Sequence, residues 1–234
     1  MNLIAKIWSF RWVLRSLPQT LWFNFHYLPF RQASRLPILL YKPHLYRTKG
    51  SIRIEGKVRP GMIVLGKMTA GIYPNDGFIY ENHGGCITFQ GNFALGNHSS
   101  ISVDRNGRLT LGRNVQCNVV KIIASTSVHV GSDSRIGWDT VVTDSDFHSI
   151  VADDNQGLLS VCNPPSSIVI GNHCWIAMRC TVLKGTILPA HSVAAAGTIL
   201  NKNYGTDGHL LLAGVPARVV KKGIEWSDDK PDLI

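Results

Sequence analysis

In the second half of the chain, an aliphatic residue or alanine recurs at every sixth position. Five consecutive hexapeptides start in this way and have a small residue at their fifth position; they begin at Ile170, Ile176, Val182, Leu188 and Ala194. Two more begin at Val130 and Ile136. The first residue of each unit can point inward from a short strand, and the small fifth residue fits a tight corner. Three units close a triangular coil, and coils stack at the strand spacing of about 4.8 Å.

This repeat predicts an all-β chain built as a parallel β-helix, in which each coil buries its neighbour. The alternative is an ordinary antiparallel sandwich with turns about every eight to twelve residues. Five units in unbroken register favour the β-helix. From about residue 51 the chain alternates short apolar runs with Gly, Asn and Asp turns, and no long amphipathic helix is predicted before about residue 215.

The first fifty residues have a different pattern. Residues 1–17 predict an amphipathic helix with one apolar face, made by Leu3, Ile7, Phe10, Leu14 and Leu17. The basic residues of this segment lie off that face, and Pro18 is expected to end the helix. Residues 19–50 are rich in aromatic side chains and contain three prolines, which predicts short extended pieces and one helix.

The formal charge of +9 is concentrated in the same segment. Residues 1–50 contain eight Lys and Arg residues, ten of the twenty aromatic residues and no acid, and the first acid is Glu55. The remaining 184 residues carry 16 basic and 15 acidic groups, and this nearly neutral body excludes a uniformly basic nucleic-acid-binding protein. Cationic and apolar side chains together suit an anionic membrane surface. The same segment can instead fold against the body as a cap or subunit contact.

The five cysteines form no CxxC pair and no zinc-binding pattern, so we expect reduced thiols that pack as small core residues. The sequence has no convincing secretory signal peptide and no run of about 18 apolar residues. We therefore expect a cytoplasmic protein without a membrane span. The basic segment extends this expectation to a peripheral position at the inner face of the membrane.

The repeat is interrupted between Ile136 and Ile170, which lie 34 residues apart, a spacing that is not a multiple of six. The interval contains the run DSDFH at residues 144–148 and then a polar, proline-containing stretch at residues 153–165. A loop that leaves a rigid solenoid is a favourable place for functional side chains. The sequence therefore predicts a functional loop over about residues 144–167.

Four blocks of sequence carry a resemblance to a known family: Val142–Ile150, Ile168–Leu183, Ser192–Lys202 and Ala213–Lys221. Through them the chain resembles the hexapeptide-repeat acyltransferases, and within these the maltose/galactoside and surface-polysaccharide O-acetyltransferases. The resemblance covers roughly residues 85–222. It implies that the parallel β-helix is left-handed. Together with the change of pattern near residue 51, this predicts a β-helix over residues 51–206, between a basic aromatic arm at residues 1–50 and a closing segment at residues 207–234. The arm does not match the short helical cap of the simplest family members. It also implies a homotrimer with active sites between neighbouring prisms.

The resemblance implies direct transfer of an acetyl group from acetyl-CoA to a sugar hydroxyl of a surface polysaccharide or its lipid-linked precursor, with no metal required. His148 matches the position of the family's catalytic histidine. A neutral imidazole can take the hydroxyl proton while the oxygen attacks the thioester. Asp144 or Asp146 can orient the ring; we favour Asp146, and the sequence leaves the choice open. Asn118 resembles the family's acceptor-contacting asparagine, and a structural role at a coil corner is the alternative.

For coenzyme A the resemblance points to Trp175, Ala177, Met178, Ala196, Asn201, Lys202, Arg218 and Lys221. Small side chains let the pantetheine approach the coil backbone, and basic ones can face the phosphates. Backbone N–H groups near Ala177 and Met178 are expected to stabilise the oxyanion. Trp175 can instead cap a coil edge. His173 and His191 occupy outward-facing fourth positions of hexapeptides and are expected to be surface residues.

Proteins with other functions share this fold. The γ-type carbonic anhydrases are expected to hold zinc with two histidines five residues apart. This chain has no H-x₄-H pattern, which argues against that function. A non-catalytic β-helix scaffold is the alternative to an enzyme, and coenzyme A binding separates the two. Among acyltransferases, a sugar amine or serine is the alternative acceptor.

Overall fold

The computed structural model describes residues 14–69, 71–153 and 159–228. In these residues the chain forms the helices α1 (Leu17–Tyr27) and α2 (Phe30–Ala33) and 22 strands. The first eleven strands are β1 (Ile38–Leu40), β2 (Pro43–Ile54), β3 (Ile63–Lys67), β4 (Phe78–Phe89), β5 (Phe93–Gly96), β6 (Ser99–Val103), β7 (Arg108–Leu111), β8 (Val115–Cys117), β9 (Val120–Ala124), β10 (Ser127–Val130) and β11 (Arg135–Ile136). The others are β12 (Thr140–Thr143), β13 (Val151–Asp153), β14 (Leu159–Val161), β15 (Ile168–Ile170), β16 (Trp175–Ile176), β17 (Thr181–Leu183), β18 (Ile187–Leu188), β19 (Val193–Ala194), β20 (Ile199–Leu200), β21 (Leu210–Ala213) and β22 (Arg218–Lys222).

The strands wind around a three-sided prism. One sheet, here face A, has the order β1-β3-β5-β8-β11-β16-β19-β21-β22. A second sheet bends at the middle of β4, whose residues Phe78–Asn82 pair with β6 and whose residues Cys86–Phe89 pair with β7. This sheet therefore covers two sides of the prism. Face B contains β6, β9, β12, β17 and β20, and face C contains β7, β10, β15 and β18.

Successive coils stack by parallel pairing, which excludes the antiparallel sandwich. The predicted columns are in register on all three faces: Ile136, Ile176 and Ala194 on face A, Val142, Val182 and Leu200 on face B, and Val130, Ile170 and Leu188 on face C. All of these side chains are buried. A fully buried aliphatic side chain contributes about 1.5–3 kcal/mol to stability, so the columns add to the backbone hydrogen bonds that hold the coils together.

The corners of the prism follow the rest of the hexapeptide. The small fifth residues are all buried: Ser134, Thr140, Cys174, Cys180, Thr186, Ser192 and Thr198. The preceding fourth residues adopt the left-handed backbone conformation that a sharp corner needs, with φ of 61° at Asp133, 52° at His173 and 58° at His191. The side chains at these corners consequently project away from the core.

The N-terminal segment contains a helical stretch before Pro18 and a helix that begins at it. Leu14 and Arg15 are helical and Ser16 forms a turn, so the first stretch stops before Pro18, as the sequence predicted. Pro18 itself lies in the first turn of α1. Proline is suited to a first turn because the N–H it lacks has no partner there. Residues 1–13 of the predicted helix lie outside the described residues. The parallel stack starts at Ile38 and not near residue 51, because β1 and β2 already pair with β3 and β4.

Helix α1 caps the open end of the prism. Phe23 is fully buried, and its ring lies edge-on to the ring of Tyr80 with the centroids 5.2 Å apart. The Asn24 side chain donates to the carbonyl of Ile38 at 2.8 Å and accepts the N–H of Ile38 at 3.2 Å. β1 is the first strand of face A, so this side chain pairs backbone groups that a sheet edge would leave open.

Two hairpins depart from the parallel coil. At the C-terminal end β21 and β22 pair antiparallel, with Arg218 opposite Ala213. The predicted loop leaves the prism after β12 and returns at β15, at the corner between faces B and C, and carries the antiparallel hairpin β13–β14. The loop therefore stands outside the core on a rigid base.

Candidate active site

Asp144 anchors the base of the loop. Its side chain is fully buried, and its carboxylate accepts the backbone N–H groups of Ser125 at 2.7 Å, Thr126 at 2.8 Å and Ser127 at 2.7 Å. Its own carbonyl accepts the N–H of Ser166 at 3.1 Å, where the loop returns to the prism. These three bonds occupy the carboxylate, so the structure gives Asp144 a structural role and contradicts its expected role as the group that orients His148.

Asp146 lies exposed on the loop and pairs with the coil beside it. Its carboxylate accepts from Lys184 Nζ at 2.6 Å and from Asn163 Nδ2 at 2.9 Å. The hydrogen bonds from Lys184 and then Asn163 lower the pKa of Asp146 below its ordinary value. Sequence reasoning missed both partners. The repeat marks Lys184 only as an outward-facing third position of its hexapeptide, and nothing in the local pattern indicates what it contacts.

The backbone of His148 is hydrogen-bonded within the loop, and the residue is exposed to solvent. Its N–H donates to the carbonyl of Asp146 at 2.7 Å, and its own carbonyl accepts from Asn163 Nδ2 at 2.9 Å. The residue before it, Phe147, has a φ of 63°, which turns the chain sharply. Among the residues that the structure describes, no side chain bonds the His148 imidazole. Within one chain the Asp146 carboxylate therefore does not orient the ring.

A groove of about 780 Å³ runs along face A. It collects five of the predicted ligand-binding residues: Asn118, Trp175, Ala177, Met178 and Ala196. Gln116, Arg135 and Trp138 also line it. The predicted acceptor-binding residue and half of the predicted coenzyme residues thus share one surface. The loop with His148 leaves the prism at a different corner, between faces B and C.

The floor of the groove is flat because small residues stack there. A Cβ added at Gly137 would come within 2.9 Å of the backbone of Ala177 in the next coil. The N–H of Ala177 donates to the carbonyl of Ala194 at 2.9 Å, as part of the stacking between coils. The N–H of Ala177 is therefore already paired, and an oxyanion role for the neighbouring N–H groups stays a prediction.

The C-terminal segment forms one wall of the groove. The ring of Trp226 stacks on His173, with centroids 4.4 Å apart, and its Nε1–H donates to the carbonyl of His173 at 2.8 Å. Trp226 also lies against Trp175, with centroids 6.1 Å apart. Asp228 forms a salt bridge with Arg135. The repeat pattern ends before these residues, so the sequence carried no signal for them.

The other four predicted coenzyme residues lie outside the lining of this groove. Asn201 donates its N–H to Tyr204 Oη at 3.3 Å, and Lys202 Nζ lies 5.7 Å from the centre of the same ring. Arg218 and Lys221 are exposed on β22. All four are accessible to solvent.

Of the five cysteines, three are buried, Cys86 is half-buried and Cys162 is exposed. Burial raises the pKa of the Cys117 thiol to about 12 and that of Cys174 to about 11, so both stay protonated and unreactive at neutral pH. Cys180 is also buried. Cys162, by contrast, is exposed on the loop, so the expectation that all five cysteines are core residues is wrong for this one.

The fold and the site together define a class of protein: a parallel β-helix with a histidine on a loop that leaves the coil and a groove of small residues on one face. The chain matches no family model. It is 30% identical over 151 residues to the putative lipopolysaccharide biosynthesis O-acetyl transferase WbbJ of Escherichia coli (strain K12), a match that covers 61% of this chain and 75% of that protein. It is 25% identical over 164 residues to an uncharacterized 24.8 kDa protein in the cps region of Klebsiella pneumoniae, covering 70% and 71% of the two chains.

Among solved structures, the polySia specific acetyltransferase NeuO superposes with a TM-score of 0.59 at 19% identity. That match covers 82% of this chain and 75% of NeuO, and it shows that the two chains share a fold. From the match to WbbJ, the chain belongs to the hexapeptide-repeat acetyltransferases. The predicted left-handed parallel β-helix and the predicted enzyme class, an acyltransferase, are confirmed.

Proposed function

We propose that this protein transfers an acetyl group from acetyl-CoA to a sugar hydroxyl of a surface polysaccharide or of its lipid-linked precursor. The observation that carries the proposal is a small-residue groove on one face of a rigid prism together with an open histidine on the loop. The names of WbbJ and NeuO describe acetyltransferases that act in lipopolysaccharide biosynthesis and on polysialic acid. Both names support a glycan acceptor.

The groove on face A suits the donor. Its lining is more apolar than polar, and Ala177 and Ala196 leave room for a narrow, flexible chain such as pantetheine to lie against the coil. Met178 and Trp175 supply apolar contact beside it. The exposed cations Lys202, Arg218 and Lys221 are our candidates for the phosphates, since ammonium and guanidinium groups bind phosphate oxygens through charge-assisted hydrogen bonds.

We infer that His148 is the general base. Its open imidazole accepts the proton of the sugar hydroxyl while the hydroxyl oxygen attacks the thioester carbon, and it then returns the proton to the departing thiolate sulfur of coenzyme A. This mechanism needs no acyl-enzyme step. Asp146 and Asn163 act as positioning residues, because they connect the loop to Lys184 on the next coil.

We further propose a homotrimer. In one chain the groove lies on face A, and the loop with His148 leaves the opposite corner, so one prism does not bring the two together. Packing the loop of one copy against face A of the next completes the site without any change of fold. Asn118 in the groove is then our candidate for contacting the acceptor.

The test is a thiol-release assay with the full chain, acetyl-CoA and a panel of sugar, amino-sugar and serine acceptors. The variant is His148→Ala, and the matched control is His83→Ala, an exposed histidine on β4. We expect the loss of general-base catalysis to reduce the rate at least 100-fold or so in the first and to leave the second unchanged. Full activity of His148→Ala would reject the mechanism.

We also propose that the protein binds the membrane surface through α1 and α2. The outward face of these helices is apolar, with Trp22, Phe25 and Phe30 exposed at 46%, 47% and 76%. Residues 14–50 carry six basic side chains and no acid. Such a surface is attracted to anionic lipid by about 1 kcal/mol per basic group and by insertion of its aromatic rings. Among the described residues no helix is long and apolar enough to cross a bilayer.

The membrane proposal is tested by co-sedimentation with vesicles of phosphatidylcholine alone and with vesicles that also contain phosphatidylglycerol. The variant is Trp22→Ala/Phe25→Ala, and Tyr46→Ala, an exposed aromatic on β2, is the control. We expect binding to the anionic vesicles only, reduced at least tenfold or so in the double variant by the lost apolar burial. Equal binding by the double variant and the control would contradict the proposal.

A further inference from the structure

Three histidines are aligned along the corner between faces C and A. His173, His191 and His209 occupy equivalent corner positions in consecutive coils, with φ of 52°, 58° and 60°. The N–H of His191 bonds the carbonyl of Asn172, and the N–H of His209 bonds that of Ala190, which fixes the spacing of the coils. The imidazole centroids lie 5.1 Å and 4.7 Å apart along the corner.

A carboxylate from the C-terminal segment faces all three rings. Glu225 Oε1 lies 3.3 Å from His173 Nε2, and Glu225 Oε2 lies 3.1 Å from His191 Nδ1 and 3.4 Å from His209 Nδ1. Glu225 is 34 residues beyond His191 in the chain, so only the folded structure creates this group. The side chains of the group are partly exposed, which leaves access from solvent.

These distances match a metal site. In a tetrahedral zinc site with metal–ligand bonds of about 2.0–2.1 Å, neighbouring ligand atoms lie about 3.3 Å apart. The ligand atoms of His173, His191 and Glu225 all lie within 4.8 Å of one another, so small side-chain rotations bring them around one centre. Imidazole nitrogen is a ligand for zinc and other transition metals, whereas calcium and magnesium take oxygen ligands. Carboxylate oxygen also binds zinc, so two imidazoles with one carboxylate favour zinc over calcium or magnesium.

We propose that His173, His191 and Glu225 bind a divalent transition-metal ion, zinc by ligand chemistry, with His209 as the neighbouring group that completes its coordination. The carbonyls of Trp226 and Ile224 accept from His173 Nε2 and His209 Nδ1 at 3.1 Å, so both nitrogens carry a proton when no metal is bound. Zinc replaces these protons and releases them to solvent.

Metal binding by these residues would have a structural consequence for the groove on face A. Glu225 is followed directly by Trp226, which stacks on His173 and forms a wall of the groove on face A. A metal ion shared by His173, His191 and Glu225 ties the C-terminal segment to two coils of the prism. It therefore holds Trp226 in place. The site does not depend on the proposed function, and its test needs no acceptor.

The test is a titration of the metal-free full chain with Zn²⁺ by calorimetry and with Co²⁺ by its visible absorption, which reports tetrahedral coordination. The variants are His191→Ala and Glu225→Gln, and the control is His83→Ala, a histidine beside Glu81 elsewhere on the prism. We expect one ion per chain in the wild type and the control, and affinity at least tenfold or so weaker in both variants, since each loses one ligand.

Trp226 fluorescence is followed in the same titrations, with Trp226→Phe to assign the signal. A fluorescence change that saturates with the metal and is lost in Glu225→Gln supports the link to the groove wall. Glu225 is exposed, so this variant keeps the fold, and circular dichroism checks it. No saturable binding by the wild type, or equal affinity in the wild type and both variants, would overturn the proposal.

Discussion

Lys184 Nζ lies 2.6 Å from the carboxylate of Asp146 and connects the loop that carries His148 to the next coil of the prism. The same Nζ donates to the carbonyl of Asn163 at 2.8 Å, and Asn163 in turn bonds Asp146 and the carbonyl of His148. One lysine on a rigid coil therefore holds both sides of the loop base. The position of His148 depends on a residue 36 positions further along the chain.

Replacing Lys184 with methionine removes this connection and the charge that stabilises the Asp146 carboxylate. The pKa of Asp146, which Lys184 holds below its ordinary value, should rise towards about 3.9. Because the native pKa is the depressed one, the contribution of the pair to stability is present above the ordinary pKa and is lost as the pH falls through the native value. An NMR titration of the Asp146 carboxyl checks the shift. Lys57→Met, at an exposed lysine, should leave it unchanged, and an unshifted midpoint in Lys184→Met would contradict the assignment.

Replacing Asp144 with asparagine should destabilise the fold by about 3 kcal/mol. The amide has one oxygen where the carboxylate has two, and its NH₂ group would face the N–H donors of residues 125–127, all of which are paired by the carboxylate in the native structure. Urea unfolding measures the change. Asp133→Asn, at an exposed corner, is the control and should cost less than about 1 kcal/mol. Equal stability of the two variants would show that the buried anchor is not needed.

The buried column on face A should contribute measurably to the free energy of unfolding. Ile176 is fully buried between Ile136 and Ala194, so Ile176→Ala should lower the free energy of unfolding by about 2–5 kcal/mol through lost burial and the cavity left behind. Ile79, which is 40% exposed on β4, is the matched control, and Ile79→Ala should cost under about 1 kcal/mol. Thermal and urea denaturation both report this difference. A cost as small in Ile176→Ala as in Ile79→Ala would argue against the stacked-column core.

The groove wall formed by Trp226 should affect the binding of acetyl-CoA. Trp226→Ala removes the ring that stacks on His173 and the indole N–H bond to its carbonyl. We expect the KM for acetyl-CoA to rise about tenfold with little change in kcat, because the wall contacts the donor before and during the reaction alike. Trp226→Phe keeps the stacking and loses the N–H bond, and its KM should fall between those of the wild type and Trp226→Ala. A large fall in kcat with an unchanged KM would place Trp226 at the reacting atoms.

The coil itself follows from covalent spacing. Each short strand and corner uses six residues, so Ile170, Ile176, Val182, Leu188 and Ala194 must alternate around the three faces and meet their equivalents in the next coil. The interruption before Ile170 likewise requires a loop. These features depend on distances along the chain, which the sequence states directly. For that reason the amino-acid sequence alone predicts the fold class and the position of the loop.

Contacts between distant residues could not be predicted in this way. Helix α1 packs Phe23 against Tyr80 at the end of the prism, and the local pattern around Pro18 does not indicate this contact. Asp144 and Asp146 are alike in sequence, and burial against residues 125–127 separates their roles. Glu225 reaches the histidine corner only after the last hairpin folds back. The repeat determined which residues share a face of the prism. Tertiary packing decided which charged and polar groups meet, because those groups lie on non-repeating segments whose positions are fixed only in the folded chain.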